Sequence, residues 1–285
     1  MLSTFECTGN QTERWTKECD NCIAHRHKKI INRIRLTNEK DKMKKTLLSC
    51  ILIVTLGLVF LGSTPNDPKP SIEQKVKDLL AKMTIEEKIG QMTQVTIDVV
   101  SVGGDRRVEP HALDPKMLEN AVVNHHVGSI LNVGNSAFTL DHWHEVITTI
   151  QDVATKKTRL KIPVLYGIDA IHGVTYTHGG TLFPQAIALA ATCNTEFAKR
   201  EGEITAYEMR ASGIPWNFYP VLDIGRQPLW SRFWETYGED VHLATALGKS
   251  YIEGHQGNDM SAPTKGATCL KHYVGYGFQL SGKDR

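Results

Sequence analysis

The residues best suited to chemistry in this 285-residue sequence stand directly behind short apolar runs. Ile162-Pro163-Val164-Leu165-Tyr166-Gly167-Ile168 delivers Asp169, and Ala170-Ile171-His172-Gly173 follows. Trp216 to Leu222 delivers Asp223, with Arg226 and Arg232 a short way on in Gly225-Arg226-Gln227-Pro228-Leu229-Trp230-Ser231-Arg232. Ala267-Thr268-Cys269-Leu270 delivers Lys271-His272. An Asp accepts two hydroxyl hydrogens, while Arg and Lys donate to hydroxyl oxygens and hold nearby carboxylates ionised. Brought together, such groups grip the vicinal hydroxyls of a polyol from several sides, and they do not suit an apolar ligand. Taken singly, each charge is better explained by a structural ion pair at a strand end. Three such strand ends in one fold favour a site.

The elements that must position these residues form a repeated β/α pattern. Apolar runs at Gly90 to Val95, Val127 to Leu131, Ile162 to Ile168, Trp216 to Leu222 and Gly266 to Val274 read as strands. Leu140 to Thr155, Asn194 to Ala211 and Val241 to Gln256 read as helices. Ser71 opens an amphipathic helix over Ile72 to Lys82, and Thr84 with Glu87 forms a capping box that starts a second helix. Strands apolar on both faces and separated by helices imply a parallel sheet, either doubly wound or a (β/α)8 barrel. In a barrel, chemistry gathers at the C-terminal strand ends, where the residues above fall. About five strand candidates occupy roughly 215 residues, against eight strands and roughly 250 residues for a whole barrel. The expected fold is α/β, an incomplete (β/α)8 TIM-type barrel of about five β/α units.

With 41% hydrophobic and 22% charged residues, the chain can bury a large core. The net charge of +2 hides an asymmetry: Met1 to Lys45 holds 11 Lys/Arg against 6 Asp/Glu, which leaves −3 for the rest. A basic face on the folded part is therefore missing, and nucleic acid is not an expected partner. Residues 43–64 read as a signal peptide, with Lys44-Lys45 before an apolar run, Leu47 to Leu61, and Gly62-Ser63-Thr64 at its end. A run of about 15 residues is shorter than the roughly 20 of a membrane span. A secreted or periplasmic protein without a stable membrane span is expected.

Residues 1–42 are polar, and the expectation is that Met43 is the true start and the tail a start-site artefact. The competing reading is a zinc module built on Cys7, Cys19, Cys22, His25 and His27, but one CxxC with a lone Cys7 lacks the paired ligand clusters of a closed site. Residues 65–70 form a Pro-rich spacer, and the folded domain is expected over 71–285. Cys193 and Cys269 are expected to be buried small hydrophobes. No Walker-type loop, Gly-x-Ser-x-Gly elbow or His-Glu-x-x-His helix is found; His142-Trp143-His144-Glu145 has the wrong spacing and is expected on a partly exposed helical face. No metal or cofactor is expected.

Gly167-Ile168-Asp169-Ala170-Ile171-His172-Gly173, Pro228-Leu229-Trp230-Ser231-Arg232 with Glu235-Thr236-Tyr237-Gly238-Glu239-Asp240, and Lys271-His272-Tyr273-Val274-Gly275 resemble glycoside hydrolase family 3. So does Met83 to Met92, and the resemblance runs from about Ser71 to Arg285. It implies that Asp169 grips hydroxyls of the terminal, non-reducing sugar, that Arg232 rather than Arg226 is the site arginine, and that Lys271 and His272 bind the same ring. The peptide joining that pair is sometimes cis in relatives. Tyr237, Glu239 and Asp240 are expected to support the Arg232 loop.

The family's retaining mechanism needs a carboxylate nucleophile and a second carboxyl as acid/base. In relatives the nucleophile lies in a Ser-Asp-aromatic element beyond the Lys-His pair, and the acid/base comes from a second domain. Neither is found in this sequence, so the resemblance implies no catalytic residue here. It implies a β-glucosidase-type enzyme acting on a β-glucoside or β-glucan oligosaccharide. This chain would supply the glycone-binding part, be inactive alone, and have the missing C-terminal part of the same protein as its partner. Arg285 is expected to end mid-loop, as in an incomplete gene model. A β-xylosidase of the same family and a non-catalytic carbohydrate-binding remnant or pseudogene product are the alternatives. The N-acetylglucosaminidase branch fits less well, because Tyr276 stands where its second His should be.

Overall fold

Helix α1 (Ile72–Lys82) and helix α2 (Ile85–Met92) open the part of the chain described by the computed structural model, which covers residues 71–105, 108–134, 137–273 and 275–284. The expectations for residues 1–42, 43–64 and 65–70, and for the end of the chain at Arg285, lie outside the described residues. Thr84 and Glu87 form the expected capping box: Thr84 Oγ1 accepts from the Glu87 amide at 3.2 Å and Glu87 Oε2 from the Thr84 amide at 2.9 Å. Arg159 then donates to the same carboxylate, at 2.5 Å and 3.1 Å, and ties α2 to the approach to the third strand.

Five strands follow, all parallel and hydrogen-bonded in the order β1-β2-β3-β4-β5. They are β1 (Gln94–Thr96), β2 (Ser129–Leu131), β3 (Leu165–Ile168), β4 (Trp216–Asn217) and β5 (Ala267–Thr268). Between them run α3 (Pro115–Glu119) with a π-turn at Asn120–Asn124, then α4 (Leu140–Lys157), then α5 (Ala186–Ala191) with α6 (Thr195–Ala211), and last α7 (Val241–Gln256). A doubly wound sheet reverses its strand order at a switch point, and no reversal occurs here. Strictly sequential parallel strands are the arrangement of one arc of a β/α barrel. Among the described residues that arc is open, with one neighbour each for β1 and β5.

The first strand begins later than the apolar pattern suggests. Gly90 belongs to α2, and a Cβ there would lie 2.5 Å from the His125 and His126 carbonyl oxygens. That glycine is a close helix-to-chain contact, not the start of a ladder. The other ladders are shorter than their apolar runs. In the fourth run, Pro220 has no amide to donate and follows a cis peptide, and pairing resumes only at the Val221–Lys271 bridge.

Two adjoining cores cover the sheet. One holds Trp143, Tyr166, Ile130, Ile150 and Ile168 between α4 and the first three strands. The other holds Tyr219, Tyr237, Tyr251 and Leu247 beneath α6 and α7. On α4, Trp143 is fully buried and donates to the Tyr176 carbonyl at 3.0 Å, so only His144 and Glu145 of the His-Trp-His-Glu run are exposed as expected. The cysteine expectation fails as well. Cys193 is exposed at φ 50° in the turn before α6, and Cys269 is half-buried. Among the described residues no helix is long and apolar enough to cross a membrane.

Candidate functional site

The segments that follow β3, β4 and β5 meet around one cavity of about 360 Å³, lined by Asp169, Ile171, Arg232, Glu235, Lys271 and His272. Small-molecule sites span about 300 to 1,000 Å³, so the space is at the small end of that range. The four residues expected to contact a ligand, Asp169, Arg232, Lys271 and His272, all lie on its wall.

Asp169 follows the last residue of β3. Its Oδ1 accepts from Lys271 Nζ at 2.5 Å, and its Oδ2 accepts from Asn132 Nδ2 at 2.7 Å. Lys271 is held by backbone on both sides: its amide donates to Pro220 O at 3.1 Å and its carbonyl accepts from Leu222 N at 2.7 Å. The β4 run thus fixes the segment that carries the lysine, although the regular ladder ends earlier.

The Lys271–His272 peptide is cis. His272 Nδ1 lies 2.6 Å from Asp223 Oδ2, and its backbone amide donates to the same oxygen at 3.2 Å. Asp223 is 2% exposed at the side chain. Because a carboxylate only accepts, a proton is assigned to Nδ1, and in the Nδ1–H tautomer Nε2 is an acceptor.

Arg232 arises in the loop after β4, where the short 3-10 turn Phe233–Glu235 folds Glu235 back onto it. Nε donates to Glu235 Oε1 at 2.8 Å and Nη2 to Oε2 at 2.6 Å, a two-pronged pair that fixes the guanidinium plane. The Tyr276 ring lies 5.6 Å from Arg232 Cζ. Glu235, chiefly by these hydrogen bonds, drives the guanidinium pKa further up, so the positive charge is permanent. Arg226 is exposed and lines a neighbouring cavity with Val241 and Phe278 instead.

Asp169 with Lys271, and Glu235 with Arg232, make two ion pairs on one wall, so the charges cancel. A phosphorylated or carboxylated ligand would need an excess of positive charge. A neutral ligand rich in hydroxyls needs donors and acceptors side by side, as they stand here.

Two of the residues that build this wall were not singled out from the sequence. Asn132 follows the apolar run Val127 to Leu131, so the strand-end rule that found Asp169 points to it too. Glu235 is three residues past Arg232, a spacing that is informative only once the turn between them is known. It takes the role expected of Tyr237, Glu239 and Asp240. Tyr237 is instead buried with its hydroxyl 2.8 Å from that of Tyr219, Asp240 caps α7 through the Leu243 amide, and Glu239 is exposed.

The model of the glycosyl hydrolase family 3 N-terminal domain matches residues 84–285. The chain belongs to glycosyl hydrolase family 3. Over 224 residues it is 41% identical to the lysosomal beta glucosidase of Dictyostelium discoideum, covering 74% of this chain and 27% of that protein. It is 31% identical to the periplasmic beta-glucosidase of Salmonella typhimurium, covering 78% and 26%. A beta-glucosidase from Listeria innocua, solved in complex with glucose, superposes with a TM-score of 0.60 at 30% identity, covering 74% of this chain and 28% of that one. The chain therefore spans about a quarter of the length of these family 3 relatives.

Proposed function

We propose that this chain is the glycone-binding part of a retaining β-glucosidase-type hydrolase that removes terminal, non-reducing β-D-glucosyl residues. The observation that supports it best is the charge-balanced cavity at the ends of β3, β4 and β5, lined by Asp169, Arg232, Lys271 and His272. Asp169 accepts from two hydroxyls, Lys271 and Arg232 donate to hydroxyl oxygens, and His272 Nε2 accepts a further hydroxyl hydrogen. Binding the sugar from several sides holds its anomeric carbon in place, so the chemistry becomes effectively unimolecular.

In a retaining reaction one carboxylate attacks the anomeric carbon and a carboxylic acid protonates the leaving oxygen. Water then releases the sugar. No residue of this chain takes either part in the proposal. Both come from the rest of the protein, which also completes the β/α barrel on the open edges of β1 and β5. Residues 43–64 serve as its export signal.

The test is release of aglycone from an aryl β-glucoside. The chain of 285 residues is expected to show no turnover. Clear turnover that Asp169→Ala abolishes would overturn the assignment of the catalytic carboxylates to another part of the protein.

A further inference from the structure

We infer that Asn132 is a positioning residue for the sugar-binding carboxylate of Asp169. The inference rests on the reading of the cavity as a sugar site and adds a residue from a further strand, β2.

Asn132 stands in the left-handed region at φ 55°, directly after β2. A turn asparagine alone would account for that backbone, since Asn tolerates it better than other side chains do. The hydrogen bonds go further. The Asn132 amide donates to Gly167 O at 2.9 Å, and its carbonyl accepts from the hydroxyl of buried Tyr166 at 2.6 Å, so the backbone is locked onto β3. Both ends of the side chain are then spent on one residue, 37 positions away. Oδ1 accepts from the Asp169 amide at 2.9 Å, and Nδ2 donates to Asp169 Oδ2 at 2.7 Å.

The amide has one orientation that fits. A backbone N–H faces one end and must meet an oxygen, so the nitrogen faces the carboxylate. With Lys271 on Oδ1 and Asn132 on Oδ2, each oxygen of Asp169 has a donor from a different strand, and the plane of the carboxylate is set by both. The remaining lone pairs are left for ligand hydroxyls. An Asp at 132 would put two carboxylates within hydrogen-bond distance of each other. A Gly would keep the backbone and lose the clamp.

The Asn132→Gly variant separates the two roles, because Gly adopts positive φ readily. Glucose is titrated calorimetrically into the wild-type chain, Asn132→Gly, Asp169→Ala and the double variant. Loss of a charge-assisted hydrogen bond is expected to weaken binding roughly 10- to 100-fold in Asn132→Gly. In the Asp169→Ala background the same change is expected to have no further effect. An equal loss in both backgrounds, or none in either, would overturn the inference.

A crystal structure of Asn132→Gly decides the point without sugar. The Asp169 carboxylate is expected to rotate out of its present plane, and an unmoved carboxylate overturns the positioning role. Absence of glucose binding by the wild-type chain would count against the sugar-site reading, and the crystal structure would then judge the clamp by itself.

Discussion

Replacing Glu201 by Gln is expected to stabilise the protein at pH 8 and to destabilise it modestly at pH 4, where the carboxyl is already neutral. Glu201 lies on α6, 4% exposed, in the second core with Tyr219, Tyr237 and Tyr251. Burial raises its carboxyl from 4.5 to about 8. In the unfolded chain the group ionises near 4.5, while in the folded protein it keeps its proton to about pH 8. Unfolding therefore releases a proton anywhere in that window. The contribution of Glu201 is full below pH 4.5, falls as pH rises, and levels off above about pH 8. A difference of about 3.5 pKa units at about 1.36 kcal/mol each amounts to about 5 kcal/mol. A buried Gln amide costs about 1–3 kcal/mol of its own, so the net gain at pH 8 is about 2–4 kcal/mol.

His255 acts in the opposite sense. It is fully buried, and burial, followed by the nearby Lys265 charge, lowers it from 6.5 to about 4. Its contribution is present above pH 6.5 and is lost as pH falls towards 4. Between about pH 4.5 and 6.5 the two slopes cancel, which leaves a plateau of stability on the acid side of neutral. Urea unfolding followed by tryptophan fluorescence from pH 4 to 9 measures both limbs. A wild-type stability that stays level between pH 6.5 and 8, or a Glu201→Gln variant that keeps the wild-type slope there, would refute the reasoning.

Three further outcomes are expected. Gly254→Ala places a Cβ 2.1 Å from Lys199 O where α7 crosses α6, and a loss of at least about 2 kcal/mol should appear as a lower Tm; an unchanged Tm would show that the helices are not in such close contact. Glu235→Gln removes the charge that orients Arg232, and glucose affinity measured by calorimetry should fall roughly tenfold. Unchanged affinity would show that Arg232 holds its place without the pair. Long-range 1H–15N spectra should show His272 as the Nδ1–H tautomer, and Asp223→Ala should release that proton to exchange between both nitrogens; a wild-type Nε2–H tautomer would contradict the assigned pair.

The longer helices were legible where a cap stood in the sequence, whereas the short α3, capped by Asp114 through the Lys116 and Met117 amides, was not. Asn194 and Asp240 cap α6 and α7 through the amides of Glu196 and Leu243, so those helices begin where the polar residue is written. Strand ends were not legible, because the apolar runs continue after the ladder has stopped. Asn217 shows why: its side chain, fully buried, serves the Ala170 amide and carbonyl at the end of the β4 ladder. The charged members of the site were readable from their places behind apolar runs. Their partners were less so, since Asn132 meets Asp169 across 37 residues and Glu235 meets Arg232 through a tight turn, and neither pairing leaves a periodic trace.

The central claim is that Asp169, Arg232, Lys271 and His272 hold one sugar ring. A crystal structure of the chain with glucose tests it most directly. The account expects the ring in the cavity, with two of its hydroxyls donating to Asp169 and others within hydrogen-bond distance of Lys271, His272 and Arg232. Glucose bound elsewhere, or seated in the cavity with no contact to Asp169, would contradict it.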